Sequence, residues 1–316
     1  MLRYKGRIAA VFLLLVLLFS LLPSPTSAQG GIKVWPAKVD LVVGSGQTAE
    51  EVISVENQGD GVARIHVYAM DFSIDKENNF AFYEPGHQSY SCARWLTLDE
   101  AEFDLTPGES KRVEVTISVP DEVEPGGHYA ALFFETVPVE TPPGVSVIIT
   151  GRIPSLFYLT IPGVTGADVF SDAEIVSILL PGWVEKGPVE IGVVVRNTGN
   201  VHLSIAAKAY FSGFRGEKIG ELDLGQVVIL PHSERIMKGS WEKTPLFSKV
   251  KASVVIGYFD QQAELVNKAK TADFWVIPWK MLLVIVFALG LLILLVWRLR
   301  KRYRLRIERK QGNFEM

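Results

Sequence analysis

The sequence lacks the groups on which many enzymes and disulfide-stapled domains depend. Its 316 residues contain one cysteine, Cys92, which excludes a disulfide framework and any cysteine-built zinc or iron–sulfur centre within a single chain. The five histidines have no second histidine at metal-ligand spacing. No G-x-S-x-G, Walker or dinucleotide-binding motif is present. We therefore expect a protein that is not an enzyme and that needs no cofactor and no metal.

An acidic run is the best candidate for a cation site in this sequence. It comprises Asp71, Asp75, Glu77 and Asn79, whose oxygen atoms are the ligand type that Ca²⁺ prefers. The spacing is not that of an EF-hand loop. A solvated acidic turn explains the run better than a calcium site, and no metal is predicted.

The first 28 residues have the pattern of a secretory signal peptide. Three basic residues precede a 15-residue apolar run, Ile8 to Leu22, in which Ser20 is the one polar residue. Proline, serine, threonine and alanine follow up to Ala28. This order of basic, apolar and small residues predicts export and removal of residues 1–28, with an uncleaved N-terminal anchor as the alternative.

A second apolar segment predicts a transmembrane helix over residues 279–297. Met281 to Trp297 is a stretch of 17 residues without a charge, which as a helix spans roughly 25 Å. Trp275, Trp279 and Trp297 flank the segment, and tryptophan favours the headgroup level of a bilayer. A core helix of a soluble domain would be amphipathic, whereas this segment is apolar on every side.

Charge is distributed unevenly, and its distribution predicts the topology. The tail, residues 298–316, carries eight Lys/Arg against two Glu, a bias that keeps a short tail in the cytoplasm. Residues 29–280 carry 21 Lys/Arg and 33 Asp/Glu, a net charge of −12 that opposes binding to nucleic acid. We expect a single-pass cell-membrane protein with most of the chain extracellular and its C-terminus cytoplasmic.

Alternation of apolar and polar residues with a period of two runs through the exported part. Arg112–Val119, Val189–Arg196 and Val250–Tyr258 each place valine, isoleucine or other apolar residues on one face. Turns rich in glycine, asparagine and proline separate such segments at short intervals. This pattern predicts an all-β fold, and frequent turns between short strands are typical of β-sandwiches.

An internal repeat divides the exported part into two such sandwiches. Asn57 and Gly59, with the strand residues around them, recur 140 positions later at Asn197 and Gly199. A second echo, between residues 105–107 and 229–231, has an offset of 124, which indicates an insertion at about residues 72–103 of the first copy. We predict sandwich domains at residues 29–162 and 167–277, and a single larger sandwich is the alternative.

This layout resembles the WxL-interacting proteins of Gram-positive bacteria, and diffuse motifs of the first domain carry the resemblance: Val55-Glu56-Asn57-Gln58-Gly59, Ala69-Met70-Asp71, Asn78-Asn79-Phe80-Ala81-Phe82-Tyr83, Leu105-Thr106-Pro107-Gly108-Glu109-Ser110 and Pro125-Gly126-Gly127-His128-Tyr129. The resemblance implies two immunoglobulin-like domains, with peptidoglycan binding by the first and attachment to a partner or host by the second. The stretch from Trp95 to Pro107-Gly108 is also similar to the first domain of pilus-assembly chaperones.

The predicted insertion holds the candidate binding residues, because aromatic faces stack on sugars and fill protein hot spots. These candidates are Phe82, Tyr83, His87, Tyr90, Arg94 and Trp95, with Trp35 as a further member. Capping of the sandwich by the same aromatics is the structural alternative. The predicted function is adhesion to cell-wall glycan or to surface proteins. The alternatives are a chaperone-like factor that assembles exported subunits by β-strand addition and, with less support, a wall-modifying enzyme.

Overall fold

The chain folds into two β-sandwiches followed by one long helix. A computed structural model describes residues 31–137, 151–163 and 168–311, with side chains as far as residue 301. The predicted signal peptide at residues 1–28, the last residues of the tail and much of the predicted linker lie outside the described residues. Within the described ranges the elements are all strands, apart from one 3-10 turn and the terminal helix.

The first sandwich contains ten strands in the described residues. In chain order they are β1 (Ile32–Trp35), β2 (Lys38–Val42), β3 (Thr48–Asn57), β4 (Ala63–Ile74), β5 (Phe80–Tyr83), β6 (Leu96–Leu98), β7 (Glu102–Leu105), β8 (Ser110–Ser118), β9 (Gly126–Val137) and β10 (Arg152–Ile161). One sheet has the order β1-β3-β8-β6, and the other has the order β2-β10-β9-β4-β5 with β7 also paired to β4. All pairs are antiparallel except β2 with β10.

The second sandwich contains eight strands in the described residues. They are β11 (Ala173–Leu179), β12 (Trp183–Val184), β13 (Val189–Asn197), β14 (Leu203–Ser212), β15 (Lys218–Ile229), β16 (Glu234–Trp241), β17 (Ser248–Phe259) and β18 (Leu265–Val276). Its sheets have the orders β11-β13-β16 and β12-β18-β17-β14-β15. The fold class is therefore all-β, as the sequence pattern predicts.

Alternation along the strands builds each core. In β8, Val113, Val115 and Ile117 are fully buried, and in β17 the same holds for Val250 and Val254. Each sandwich closes a separate apolar cluster between its two sheets. Because side chains of successive residues point to opposite faces of a strand, the period of two that marks these segments in the sequence is also what fills the two cores.

Helix α1 (Trp279–Gln311) begins three residues after β18 ends. Its segment Trp279–Lys301 has a mean hydropathy of 2.8, and none of the apolar window is buried. It is the one helix among the described residues that is long and apolar enough to cross a membrane. This agrees with the predicted single span. The orientation in the membrane is a prediction from the charge of the tail.

A third apolar cluster joins the two sandwiches. Phe72, Tyr129 and Tyr158 lie on the outer face of the β2-β10-β9-β4-β5 sheet, and Leu230 of the second sandwich packs against them. Arg235, which has no exposed surface, donates a hydrogen bond to the carbonyl oxygen of Ile74 at 2.7 Å. The end of the second sandwich opposite α1 therefore covers part, and not all, of that outer face as the described residues form it.

Candidate functional site

The open part of this outer face forms a groove of about 300 Å³. Three strands supply its lining, which consists of Phe80, Phe82, Phe133, Arg152, Pro154 and Leu156. The rings of Phe82 and Phe133 meet edge to face with their centroids 4.7 Å apart. Phe80 is 45% exposed at the outer end of the groove. The groove is thus a predominantly aromatic surface with one cation.

Arg152 places that positive charge above the aromatic floor. Its guanidinium carbon lies 4.7 Å from the ring centroid of Phe133 and 5.8 Å from that of Phe82, the geometry of a cation–π contact. Arg152 also donates a hydrogen bond to the hydroxyl of Tyr68 at 3.4 Å, and that hydroxyl donates to Glu135 at 2.8 Å. Burial, the largest cause, raises the pKa of Tyr68, so the phenol stays protonated as the donor. The cation is thus held in place by both its ring contacts and this chain of hydrogen bonds.

Two strand edges adjoin the groove. β5 pairs with β4 on one side, and no described strand pairs with its other side. β10 pairs with β2 from Leu156 to Thr160, so its first residues, Arg152 to Ser155, also have one side on which no described strand pairs. Pro154 lacks a backbone N–H, which suits an edge position and weakens that edge as a template. The edge of β5 is therefore the better site for an added strand.

The predicted site residues divide among several places. Phe82 lies in the groove. Tyr83, the next residue, points to the other side of β5 and stacks on His87, with ring centroids 4.6 Å apart and planes inclined by 12°. The hydroxyl of Tyr83 lies 3.3 Å from that of Ser73, and the side chain of His87 is exposed. These two residues form a stacked pair beside the groove.

The remaining candidates make structural contacts. Tyr90 packs edge to face on Tyr129, with ring centroids 5.6 Å apart, within the cluster that joins the sandwiches. Trp95 lies in the 3-10 turn Ala93–Trp95, contacts the ring of His128 and packs against the first core. These contacts correspond to the alternative in which the aromatics cap the sandwich.

Arg94 and Trp35 occupy two further positions. The side chain of Arg94 is exposed and passes directly over Gly86, where a Cβ atom would lie 2.5 Å from its guanidinium carbon. Trp35 lies in the other sheet, at the end of β1, with the ammonium of Lys33 4.9 Å from its ring centroid. Trp35 therefore lies on a different sheet from the strands that carry the Tyr83–His87 pair and the groove.

The acidic run forms a turn, and the cysteine is buried. The carboxylate of Asp75 accepts hydrogen bonds from the backbone N–H groups of Glu77 and Asn79, which closes a turn between β4 and β5. Among the described residues no group of three or more His, Cys, Asp or Glu could hold a metal ion. Cys92 is fully buried, and burial raises the pKa of its thiol well above the usual value.

Sequence reasoning missed the part of the groove that β9 and β10 contribute. Phe133 and Phe134 are adjacent in β9, so their rings must point to opposite faces of the sheet. This pair was the sign in the sequence that an aromatic ring lies on the outer face. Phe134 enters the first core, and Phe133 forms the groove floor. Arg152 and Pro154 gave no such signal, because the pairing of β10 with β9 is what brings them beside Phe133.

Comparisons with known proteins concern structure alone. No protein-family model matches the chain, and no curated protein matches it. The class 5 fimbriae chaperone CfaA is similar to it with 13% identity and a TM-score of 0.39, covering 78% of this chain and 100% of the chaperone. The Pseudomonas aeruginosa CupB2 chaperone has 10% identity and a TM-score of 0.37, covering 75% and 99%. A chain from the Salmonella enterica complex of SafA pilin with the SafB chaperone has 11% identity and a TM-score of 0.38, covering 80% and 98%.

Proposed function

We propose that this chain is a membrane-anchored binding protein that holds an extended segment of a partner polypeptide outside the membrane. The observation that carries the proposal is the edge of β5 that has no described partner strand, because Phe80 and Phe82 of the same strand form one end of the aromatic groove. A strand added to that edge gains main-chain hydrogen bonds, and its alternate side chains pack against Phe80 and Phe82, the part of the groove lining that β5 supplies. The proposal corresponds to an assembly factor that acts by β-strand addition, and it involves no chemical step.

The lining of the groove favours a polypeptide over a glycan. Five of the six lining side chains are apolar, and Arg152 is the one charged group. A sugar needs several hydrogen-bonding groups around each ring, whereas aromatic and aliphatic side chains of a peptide need an apolar pocket with few polar contacts. The edge of β5 supplies backbone donors and acceptors of the kind that a peptide can match.

Anchoring by α1 completes the proposal. Residues 279–301 form the candidate span, and the sandwich that carries the groove contacts the end of the second sandwich farthest from α1. The groove would therefore lie well outside the bilayer, where an exported polypeptide can reach it. The predicted signal peptide and the basic tail support an extracytoplasmic location for both sandwiches.

Adhesion to cell-wall glycan is a second candidate, and the Tyr83–His87 pair favours it. The exposed His87 ring lies parallel to Tyr83, and an exposed flat ring of this kind is able to stack on a sugar. The two candidates use different residues, because Phe82 and Tyr83 point to opposite sides of β5. Substitutions at Phe82 and at His87, which stacks on Tyr83, therefore separate the two functions.

The test combines crosslinking with a binding measurement on the full chain. A photo-crosslinking phenylalanine analogue replaces Phe80 in one variant and Phe259, which is 64% exposed at the far end of β17, in a control. We expect a polypeptide adduct at position 80 and none at position 259. Once that polypeptide is identified and purified, Phe82→Ala should weaken its binding at least about tenfold, since a central aromatic is typical of a hot spot.

The controls distinguish the outcomes. Phe259→Ala should bind the purified polypeptide as the unmodified chain does. Retained affinity in Phe82→Ala would show that the groove is not the binding site. Binding of the full chain to purified wall glycan, reduced by His87→Ala and not by Phe82→Ala, together with no adduct at position 80, would establish adhesion in place of polypeptide binding.

A further inference from the structure

The end of the second sandwich next to α1 exposes large apolar side chains from four different segments. They are Trp183 (56% exposed), Phe214 (72%), Leu246 (78%), Phe247 (61%) and Trp275 (43%). We call this group the collar. Single exposed apolar residues are common on soluble proteins, but a contiguous group usually marks an interaction surface.

Strand register brings the collar together. Trp183 of β12 pairs with Trp275 of β18, and Lys249 at the start of β17 pairs with Trp275 from the other side. Phe247 immediately precedes β17, and its ring centroid lies 6.5 Å from that of Trp275. Ser212 at the end of β14 pairs with Lys251, so the hairpin that carries Phe214 projects from the same end.

The start of α1 is fixed beside the collar. The backbone N–H of Ile277 donates to the carbonyl oxygen of Val184 at 2.8 Å, and that of Trp275 donates to Gly182 at 3.0 Å. Lys280, in the first turn of α1, lies 2.9 Å from the carboxylate of Glu185. Two residues separate β18 from the helix, so the collar and the first turn of α1 occupy one level of the molecule.

We propose that the collar inserts into the headgroup layer of the bilayer that α1 spans, so that the second sandwich rests on the membrane in a fixed orientation. The occupant is lipid, because the candidate span begins at Trp279, four residues after Trp275 of the collar. Tryptophan favours this layer, phenylalanine and leucine bury at its boundary with the acyl chains, and lysines beside them reach the headgroups. Lys186 and Lys243 lie in the collar loops, accompanied by Glu185 and Glu242.

This inference rests on the proposed anchoring by α1 and adds a consequence for the groove. β17 runs from the collar to Phe259 over 12 residues, a length of about 36 Å. The first sandwich contacts the second at that far end, through Leu230 and Arg235. A seated collar would therefore hold the groove at a fixed height above the lipid. Without that contact, both sandwiches would be free to change their orientation relative to the membrane.

The experiment measures depth in the bilayer with three variants of the full chain, each of which has one cysteine added to the buried Cys92. Phe247→Cys probes the collar, and Phe259→Cys is the matched control with nearly equal exposure at the opposite end of the same strand. Ala288→Cys marks the interior of α1. Each variant carries an environment-sensitive fluorophore in nanodiscs of phosphatidylcholine and phosphatidylglycerol, and the unsubstituted chain controls for labelling of the buried Cys92.

Lipids with a nitroxide at the headgroup or deep in the acyl chain then quench each label. Headgroup nitroxide should quench the label at position 247 at least about threefold more than the label at 259, because a seated collar puts position 247 in the headgroup layer and leaves position 259 at the other end of β17. Deep nitroxide should quench the label at position 288. Because Phe247 and Phe259 are exposed, their substitution by cysteine should leave the tryptophan emission of the second core unchanged.

The two proposals fail in different ways. If position 288 is quenched and position 247 behaves as 259 does, the span is correct and the collar does not contact lipid. If position 288 is not quenched, α1 does not cross the bilayer, and both the anchoring and the seated collar are overturned. Neither result depends on the polypeptide proposed for the groove.

Discussion

Asn57 and Asn197 hold the same turn in the two sandwiches. The side-chain nitrogen of Asn197 donates to the carbonyl oxygens of Val201 and Ile229, at 2.7 and 2.9 Å, and its side-chain oxygen accepts from the N–H of Gly199 at 2.9 Å. Asn57 makes the three equivalent bonds, to Gly61, Leu105 and Gly59. The repeat in the sequence thus preserves a buried hydrogen-bonding network.

Replacement of Asn197 by alanine should destabilise the second sandwich by about 3 kcal/mol, since three hydrogen bonds of about 1 kcal/mol each are lost and buried backbone groups are left unpaired. Asn57→Ala should have a similar effect on the first sandwich. Urea unfolding of the full chain in detergent micelles, followed by near-ultraviolet circular dichroism, measures both. Asn267→Ala, at an exposed position of β18, should change the free energy of unfolding by less than about 0.5 kcal/mol. A similar loss in all three variants would contradict this role.

Asp40 connects the sandwiches through a charge. Its carboxylate lies 3.3 Å from Nε2 of His202 and 2.7 Å from Nζ of Lys38. The hydrogen bond with His202 is the largest cause that lowers the pKa of Asp40 to about 2, from an ordinary value of 3.8. Because the pKa is lower in the folded state, ionised Asp40 stabilises the fold above about pH 4, and this contribution is lost as the pH falls towards 2.

The Asp40→Asn variant should therefore be less stable than the unsubstituted chain near pH 6, and the difference should shrink between pH 4 and pH 2. The side chain of Asp40 is 51% exposed, so screening by water limits the difference to about 1 kcal/mol. Thermal unfolding at a series of pH values measures it. Glu190→Gln, an exposed position on β13, provides the control. A stability difference that is constant from pH 6 to pH 2 would rule out the linkage.

At the scale of elements, β9 shows why one sheet face carries the candidate site. Its residues are buried without a break from Gly126 to Phe134, on both faces of the strand. One face fills the first core, and the other is covered by the second sandwich at Tyr129 and forms the groove floor at Phe133. An antiparallel sheet commonly leaves one face to water, so an apolar outer face calls for a covering element. Here the second sandwich covers only part of it.

Strands with regular alternation were predictable, and the site was predictable only in part. Arg112–Val119 and Val189–Arg196 correspond to β8 and β13, because a period of two is a local property of the sequence. The groove depends on pairings between distant segments, such as Arg152 with Glu135, which no local pattern records. Phe82, which lines the groove, was among the predicted candidates because aromatic residues cluster around it in the chain. Trp35 was grouped with the other candidates because it is aromatic. The residue type does not indicate which side chains lie close together in the fold.

At the scale of the whole molecule, the contact between the sandwiches is mixed in character. Leu230 contributes apolar contact, and the backbone N–H of Gly127 donates to the carbonyl oxygen of Asn200 at 2.8 Å. The backbone N–H of Ile236 donates to the carbonyl oxygen of Lys76 at 2.9 Å, and the side chain of Lys76 also forms an ion pair with Glu234. The contact thus combines an apolar cluster with backbone hydrogen bonds between the two sandwiches. We expect such a contact to couple the unfolding of the two sandwiches.

Leu230→Thr tests this coupling. Threonine is chosen because it is the residue at the corresponding position of the first repeat. Leu230 corresponds to Thr106 of the first copy, which is exposed, whereas Leu230 is 1% exposed against Phe72, Tyr129 and Tyr158. Loss of a buried leucine at the contact should weaken it by about 2–4 kcal/mol and leave both cores intact. Calorimetry of the full chain in micelles should then resolve two transitions where the unsubstituted chain gives one. Leu265→Thr, at an exposed leucine of the same sandwich, should preserve the single transition. An unsplit transition in Leu230→Thr would mean that the polar contacts alone couple the sandwiches, and that the apolar outer face serves only the groove.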